Sequence, residues 1–261
     1  MLVSSEFEWL MLKKKRQQDF LSVREKEWLS QLKLFDDSRD QEALHGLRIG
    51  IKKIKAFVKL SKACAKTGPA KDVQRLENMF RQAGKIRDIE SQLHFLAQHQ
   101  PAEAEYRSQQ MLVLQSASAE FSAQAKEYRR EGKKAGRQLL ADVQAIRTRS
   151  VRTWYASQLI RTGILLTSSG EQLHKARKKI KTLLYVQKML PDGMVAQLHL
   201  NTDYLDQLQE AIGRWHDTVM ATATLADKIP SAQQVMVREC REKEAAVRAL
   251  GNDFYLKVHQ E

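Results

Sequence analysis

The sequence predicts an all-α protein built from two copies of a four-helix unit. Three observations predict it. Gly and Pro are scarce, at 11 and 4 of 261 residues, which disfavours folds with many tight turns. Long windows rich in Ala, Leu, Gln, Glu, Lys and Arg favour helix. The chain also repeats itself. Shifted by 129 positions, Glu42 falls on Glu171, Leu44 on Leu173, His45 on His174, Arg48 on Arg177, Ile51 on Ile180, Lys52 on Lys181 and Lys59 on Lys188. The same offset brings Leu76 onto Leu205, Gly84 onto Gly213, Asp88 onto Asp217 and Pro101 onto Pro230. Chance similarity between helices would select Leu, Ala and Lys, not His, Gly, Asp and Pro together. The copies are expected at about 1–133 and 134–261, packed about a pseudo-twofold axis.

The elements follow in order, with prolines as punctuation. A first helix is expected over 6–34, carrying Lys13, Lys14, Lys15 and Arg16. The second, 39–66, is the most basic. Thr67-Gly68-Pro69 closes it and opens a third over 69–98. Pro101 opens a fourth over 102–132, and a fifth is expected over 137–167, carrying Arg147, Arg149 and Arg152. A sixth, 171–190, repeats the basic pattern of the second. Pro191-Asp192-Gly193 separates it from a seventh over 193–228, and Pro230 introduces an eighth over 231–258.

The net charge is +13. Self-repulsion of that size is relieved by a polyanionic partner, and the candidates are nucleic acid, an acidic membrane surface or a phosphate polymer. The charge is patterned. From Ala43 through Lys71 there is no Asp or Glu, and none from Gln172 through Pro191. On a helical wheel His45, Arg48, Lys52, Lys55 and Lys59 fall within an arc of about 80°. Leu47, Ile51, Ile54 and Val58 form a separate apolar stripe about 100° away. Lys53 adds charge beside the ridge. His174, Arg177, Lys181 and Lys188 repeat the arc, with Lys178 at its edge. An ordinary solvated helix mixes Glu with Lys at i,i+4. A ridge that leaves every cation unpaired forgoes the stabilisation of such pairs, and is expected to suit an anion from outside the chain.

A second element accompanies each ridge. Gly84-Lys85-Ile86-Arg87-Asp88 aligns with Gly213-Arg214-Trp215-His216-Asp217. Gly inside a helix costs about 1 kcal/mol relative to Ala, so close approach of another helix is expected there. That approach would bring Lys85, Arg87, Arg214 and His216 to the ridges. Asp88 and Asp217 are expected to accept from Arg48 and Arg177 and orient their forks. Cationic neighbours disfavour a protonated imidazole and a bound anion favours it. Anion affinity is therefore expected to rise as pH falls.

The residues His45-x-x-Arg48-x-x-x-Lys52-Lys53 with Gly84-x-x-Arg87-Asp88, and His174-x-x-Arg177-x-x-x-Lys181 with Gly213-x-x-His216-Asp217, resemble the CHAD family, the conserved histidine α-helical domain. The resemblance covers essentially the whole chain as one domain in the family's two-copy form. It implies two four-helix bundles around a central basic groove, binding of inorganic polyphosphate, and a cytoplasmic location at polyphosphate granules. The residues it would place at the phosphates are His45, Arg48, Lys52, Lys53, Lys55, Lys59, Lys85, Arg87, His174, Arg177, Lys178, Lys181, Lys188, Arg214 and His216. Asp88 and Asp217 would orient them, and Lys13, Arg16, Arg149 and Arg152 would add charge. Lys stands for several expected arginines, at Lys52, Lys53 and Lys181. Thr182 stands opposite Lys53, and His216 opposite Arg87. Lys binds phosphate as a point charge without the bidentate fork, so the second copy is expected to bind less tightly.

The rival classes find less support. Nucleic-acid backbone binding is the main alternative, but the ridge over 45–59 interleaves no aromatic residue for base stacking, Phe57 lying off the arc. Trp215 and Tyr185, near the second ridge, have a core reading as well. Catalysis on phosphate usually needs carboxylate-held Mg²⁺, and the ridges contain no carboxylate. Glu103-Ala-Glu105-Tyr-Arg107 reads as acidic residues at a helix start. No Walker A motif is present, and His94 and His99 lie off a shared helical face. No enzyme activity, metal or cofactor is expected. The N-terminus, with acids before its basic cluster, does not read as a signal peptide, and no run of about 18 apolar residues spans a membrane. Cys64 and Cys240 are expected to be ordinary thiols.

Overall fold

The computed structural model describes residues 11–65, 70–99, 104–168, 170–225 and 230–259. Residues 6–10 of the first expected helix, Pro69, Pro101 and Glu103 lie outside the described residues. Helix dominates, as the composition predicted. The long helices are α1 (Lys14–Ser38), α2 (Gln41–Ala65), α3 (Ala70–His99), α4 (Ala104–Ala123), α5 (Ala125–Asp142), α6 (Thr148–Leu166), α7 (Glu171–Gln187), α9 (Thr202–Leu225) and α10 (Pro230–Gly251). Two short ones, α8 (Asp192–Ala196) and α11 (Phe254–Lys257), complete the described set. Among the described residues no helix is long and apolar enough to cross a membrane.

The described residues divide into two compact units, 12–146 and those from 147 onward, the latter joined by Met11. In the first, α1 packs on α2 and α5, and α3 packs on α2, α4 and α5. In the second, α7 packs on α6 and α9, and α10 packs on α9.

Several boundaries differ from the expectation, each for a local reason. Met11–Leu12 is a short strand, β1, paired with Ile146–Arg147, β2, rather than the interior of a helix. Leu12 is fully buried there, and the buried Gln17 side chain donates from Nε2 to the carbonyls of Leu12 at 3.0 Å and Gln144 at 2.7 Å. The amide thus satisfies two carbonyls that no helix ladder uses. The helix expected over 102–132 breaks at Gln124 instead, where its N–H donates to the Phe121 carbonyl at 3.1 Å. The expected gap at 133–136 lies inside α5. Gly132 and Gly136 mark contacts there, not a helix end: a Cβ on Gly132 would sit 2.1 Å from Trp28 Cη2, and one on Gly136 2.6 Å from Glu25 Oε1. The fifth expected helix is therefore split between α5 and α6. The seventh is split at Gln197–Asn201, where His199 takes φ 46°. Asn201 Oδ1 accepts the Tyr204 N–H at 2.9 Å and caps α9. The eighth ends at Gly251, and Asp253 at φ 56° turns the chain into α11.

The second helix carries the expected apolar stripe into the core. Leu47, Ile51, Ile54 and Val58 are all buried, each stabilising the fold by about 1.5–3 kcal/mol relative to exposure. In α7 the corresponding work falls to Leu173, Ala176, Ile180, Leu183 and Val186. These stripes set the rotation of α2 and α7, and so decide which way the cationic ridges face. Cys64 and Cys240 are thiols. Burial pushes the Cys64 thiol up to about 11, which keeps it protonated and inert.

Candidate functional site: two arginine seats on basic ridges

In the first unit the site begins with Arg48. Its Nη1 donates to the main-chain carbonyl of Phe80 on α3 at 2.7 Å. Its guanidinium carbon lies 4.4 Å from the Phe80 ring centroid. The same group covers Gly84, where a Cβ would meet Nη1 at 2.6 Å. The glycine is there to make room for a guanidinium. The expected close approach is thus made by a side chain, not by a helix backbone. Burial depresses the arginine's affinity for its proton, Asp88 opposes that, and Arg87 reinforces it. An arginine still keeps its charge, so this is a partly desolvated, fixed cation.

Lys52 and Lys55 approach the same ring, with Nζ at 5.9 and 4.9 Å from its centroid. Phe80 is thereby the platform under three cations, each attracted by the negative face of the ring. Sequence reasoning missed it because it comes from α3, not from the ridge. Its signal was an aromatic residue one helical turn before the helical Gly84. The expectation of a ridge without partners needs correction. Lys55 pairs with Glu77 of α3, and Arg87 pairs with Glu90 one turn along its own helix. The acids missing from α2 are supplied by α3. His45 and Lys53 are half-buried on α2, while Lys59 and Lys85 are exposed.

The second unit repeats the central contact. Arg177 Nε donates to the main-chain carbonyl of Gln209 at 3.0 Å, across the same sequence separation of 32 residues as in the first unit. A Cβ on Gly213 would meet Arg177 Nη2 at 2.8 Å. In each unit the acceptor that fixes the arginine is a main-chain carbonyl one turn before the glycine. Asp88 bears on Arg48 through its charge. Asp217 is largely exposed, lies 4.0 Å from His216 Nδ1, and supports the charge on Lys181.

Around this seat the second unit differs. His174 and His216 stack with ring centroids 3.8 Å apart and planes 23° apart. Burial and the nearby Arg177 hold the Lys181 amine below the usual lysine range, while Asp206, Glu210 and Asp217 pull it back. Burial raises the Tyr185 phenol, with Arg177 opposing. Trp215 is buried, which resolves its two readings in favour of the core. Arg214 is mostly exposed and lies 3.9 Å from Glu210. Lys178 and Lys188 are exposed on α7 and just after it. Lys13 and Arg16 are exposed at the start of α1, and Arg149 and Arg152 in the first turns of α6. These four lie on other helices than the ridges.

The sequence matches the family model of the CHAD domain over residues 23–226. The chain belongs to the CHAD domain family. Among solved structures, this CHAD chain is similar to a CHAD domain from the plant Ricinus communis, with 18% identity, a TM-score of 0.65, and coverage of 94% of this chain and 89% of that one. It is also similar to PptA from Streptomyces chartreusis, with 15% identity, a TM-score of 0.63, and coverage of 94% and 99%. At these identities the likeness establishes the all-α CHAD fold. Among curated proteins no sequence matches the chain.

Proposed function

We propose that this CHAD chain binds inorganic polyphosphate, without catalysing its reaction, through the cationic face of each unit. The observation that carries the reading is the paired seating of Arg48 and Arg177. Each guanidinium spends one N–H on a main-chain carbonyl and lies over a glycine. An arginine has five N–H donors in a planar fork, so the others are available to phosphate oxygens. Preorganisation lowers the entropy lost on binding. Lysines and histidines beside each seat supply point charges, and displacement of counterions from a polyanion adds affinity. Polyphosphate has no bases, so charge spacing alone can select it. The two units then act as copies of one binding element, and granule association and a cytoplasmic setting belong to the same reading.

A binding role is the reading the donor set supports. Among the described residues no group of three or more His, Cys, Asp or Glu side chains gathers to hold a metal ion. Beside the first ridge, Glu77 and Glu90 are paired with Lys55 and Arg87. The ring in the first site has its face against Arg48 and Lys55, which does not favour base stacking.

A competition titration at near-physiological salt tests the reading. Long-chain polyphosphate is compared with single- and double-stranded DNA at equal phosphate concentration, with the Arg48→Ala/Arg177→Ala variant alongside. Preference for polyphosphate that is lost in the variant is expected. Equal binding of all polymers, unchanged in the variant, would make the ridges generic basic surface and favour nucleic acid.

A further inference from the structure

An open cleft of about 450 Å³ lies in the first unit, beyond the Arg48 seat, between the C-terminal half of α2 and the N-terminal half of α3. Lys55, Lys59 and Lys62 line one wall, one or two helical turns apart, and Arg81 lines the other. Lys59, Lys62 and Arg81 are solvent-exposed. The carboxylate among the lining residues is Glu77, which Lys55 already engages. The lining therefore carries an excess of three positive charges. Val58 and Val73 add apolar surface to it. The volume lies in the range of small-molecule sites, about 300–1,000 Å³.

The cleft is not a by-product of the internal repeat. At the positions 129 residues on, the second unit keeps Lys188 for Lys59 but has Leu184 for Lys55, Pro191 for Lys62, and Glu210 for Arg81. Asp203 and Asp206 stand there for Gln74 and Glu77. The α3 face carries one acid and one cation, Glu77 and Arg81, where the α9 face carries three acids. A surface built only for general basicity gives no reason for cations to concentrate on both walls of one cleft in one unit.

We infer that this cleft is a separate anion subsite that takes a terminal oligophosphate group, either the end of a polyphosphate chain or the triphosphate of a nucleotide. A phosphate in mid-chain carries close to one charge. A terminal phosphate approaches two at neutral pH, as a phosphomonoester does, and so gains more from cations on two walls. Arg81 offers a fork and the lysines offer mobile point charges. The inference rests on the phosphate chemistry proposed above; the cleft shares Lys55 and Lys59 with the first ridge and adds Lys62 and Arg81, away from the Arg48 seat.

Isothermal titration of the full chain with tripolyphosphate, with ATP and with long-chain polyphosphate separates the possibilities. The variants are Lys59→Gln/Lys62→Gln/Arg81→Gln and Arg48→Ala. All three replaced groups in the triple variant are exposed, so the fold is expected to survive, with the thermal midpoint as the check. The triple variant should lose about tenfold or more in tripolyphosphate affinity, and Arg48→Ala should lose far less. Tripolyphosphate should also slow acylation of Lys59 and Lys62, read by mass spectrometry. Binding of tripolyphosphate with no binding of ATP would identify the chain end as the source, and binding of both would extend the site to nucleotides. Unchanged tripolyphosphate affinity in the triple variant, or equal losses in the two variants, would overturn the separate subsite. Failure of long-chain polyphosphate to bind the wild-type protein, with tripolyphosphate still held by the cleft, would remove the proposed function and leave the subsite standing.

Discussion

Arg48 lies across Gly84, so close that a Cβ at residue 84 would meet its Nη1 at 2.6 Å. Arg177 and Gly213 stand in the same relation, at 2.8 Å. The obstructed atom is the far end of a flexible side chain, so a methyl group would displace the guanidinium before it disturbed the helix. Ala is favoured over Gly in a helix interior by about 1 kcal/mol. Gly84→Ala/Gly213→Ala is therefore expected to unfold at an unchanged or higher temperature, yet to bind polyphosphate about three- to tenfold more weakly. Thermal unfolding and a binding titration on the same preparation check both halves. Undiminished affinity would show that the seats do not position the arginines for the ligand.

Phe80 holds the cations of the first unit against its ring, Arg48 at 4.4 Å and Lys55 at 4.9 Å. Each such contact is worth about 0.5–1 kcal/mol at a partly exposed site. Phe80→Leu keeps an apolar group but loses the ring's negative face. A loss of about 1–2 kcal/mol in urea-derived stability is expected. If stability were unchanged, the ring would be only a spacer.

The stacked His174 and His216 rings make the second unit the more pH-responsive. Protonating either imidazole places a new positive charge near Arg177 and Lys178 and against its partner ring, which a bound anion offsets. Where the complex holds more protons than its separate components, affinity rises as pH falls. The first unit carries Arg87 at the position of His216, and an arginine does not titrate there. His216→Arg is expected to flatten the rise between about pH 7.5 and 5.5. Polyphosphate titrations across that window test it, and a profile unaltered by the substitution would count against the stack.

Lys181 is held below the usual lysine range by burial, then by Arg177. Its neutral fraction is larger at any given pH, so its acylation rate should reach its midpoint below the ordinary lysine value of about 10.4. Bound polyanion adds negative charge, restores the proton and slows the reaction. Site-resolved labelling from pH 8 upward, with and without polyphosphate, gives the profile. A midpoint at the ordinary value would contradict the buried environment.

Much of the fold was legible in particular residues. The apolar stripe Leu47, Ile51, Ile54 and Val58 predicted a buried face on α2, and all four are buried. The acid-free stretches marked α2 and α7, because a helix that forgoes i,i+4 pairs on its own surface looks outward for charge. The breaks were harder to read. The expected gap at 133–136 falls inside α5, where Gly132 and Gly136 serve the packing of Trp28 and Glu25. A local pattern cannot distinguish a glycine that ends a helix from one that admits a neighbour. Asn201 carried a capping signal for α9, and the run of helix-favouring residues around it obscured that signal.

By itself the sequence determined the helical class, the doubled spacing of His, Arg, Gly and Asp, and the apolar stripes that orient the ridges. These follow from periodicity, which is local and additive along the chain. Tertiary structure alone decided what each arginine rests on. The Phe80 and Gln209 carbonyls are main-chain groups, identical in every residue type, so no sequence pattern marks them as acceptors. The same holds for Phe80 beneath three cations, Glu77 on Lys55, and the cleft between α2 and α3. Each joins residues about 20 or more positions apart, brought together only when buried apolar faces lock neighbouring helices side by side.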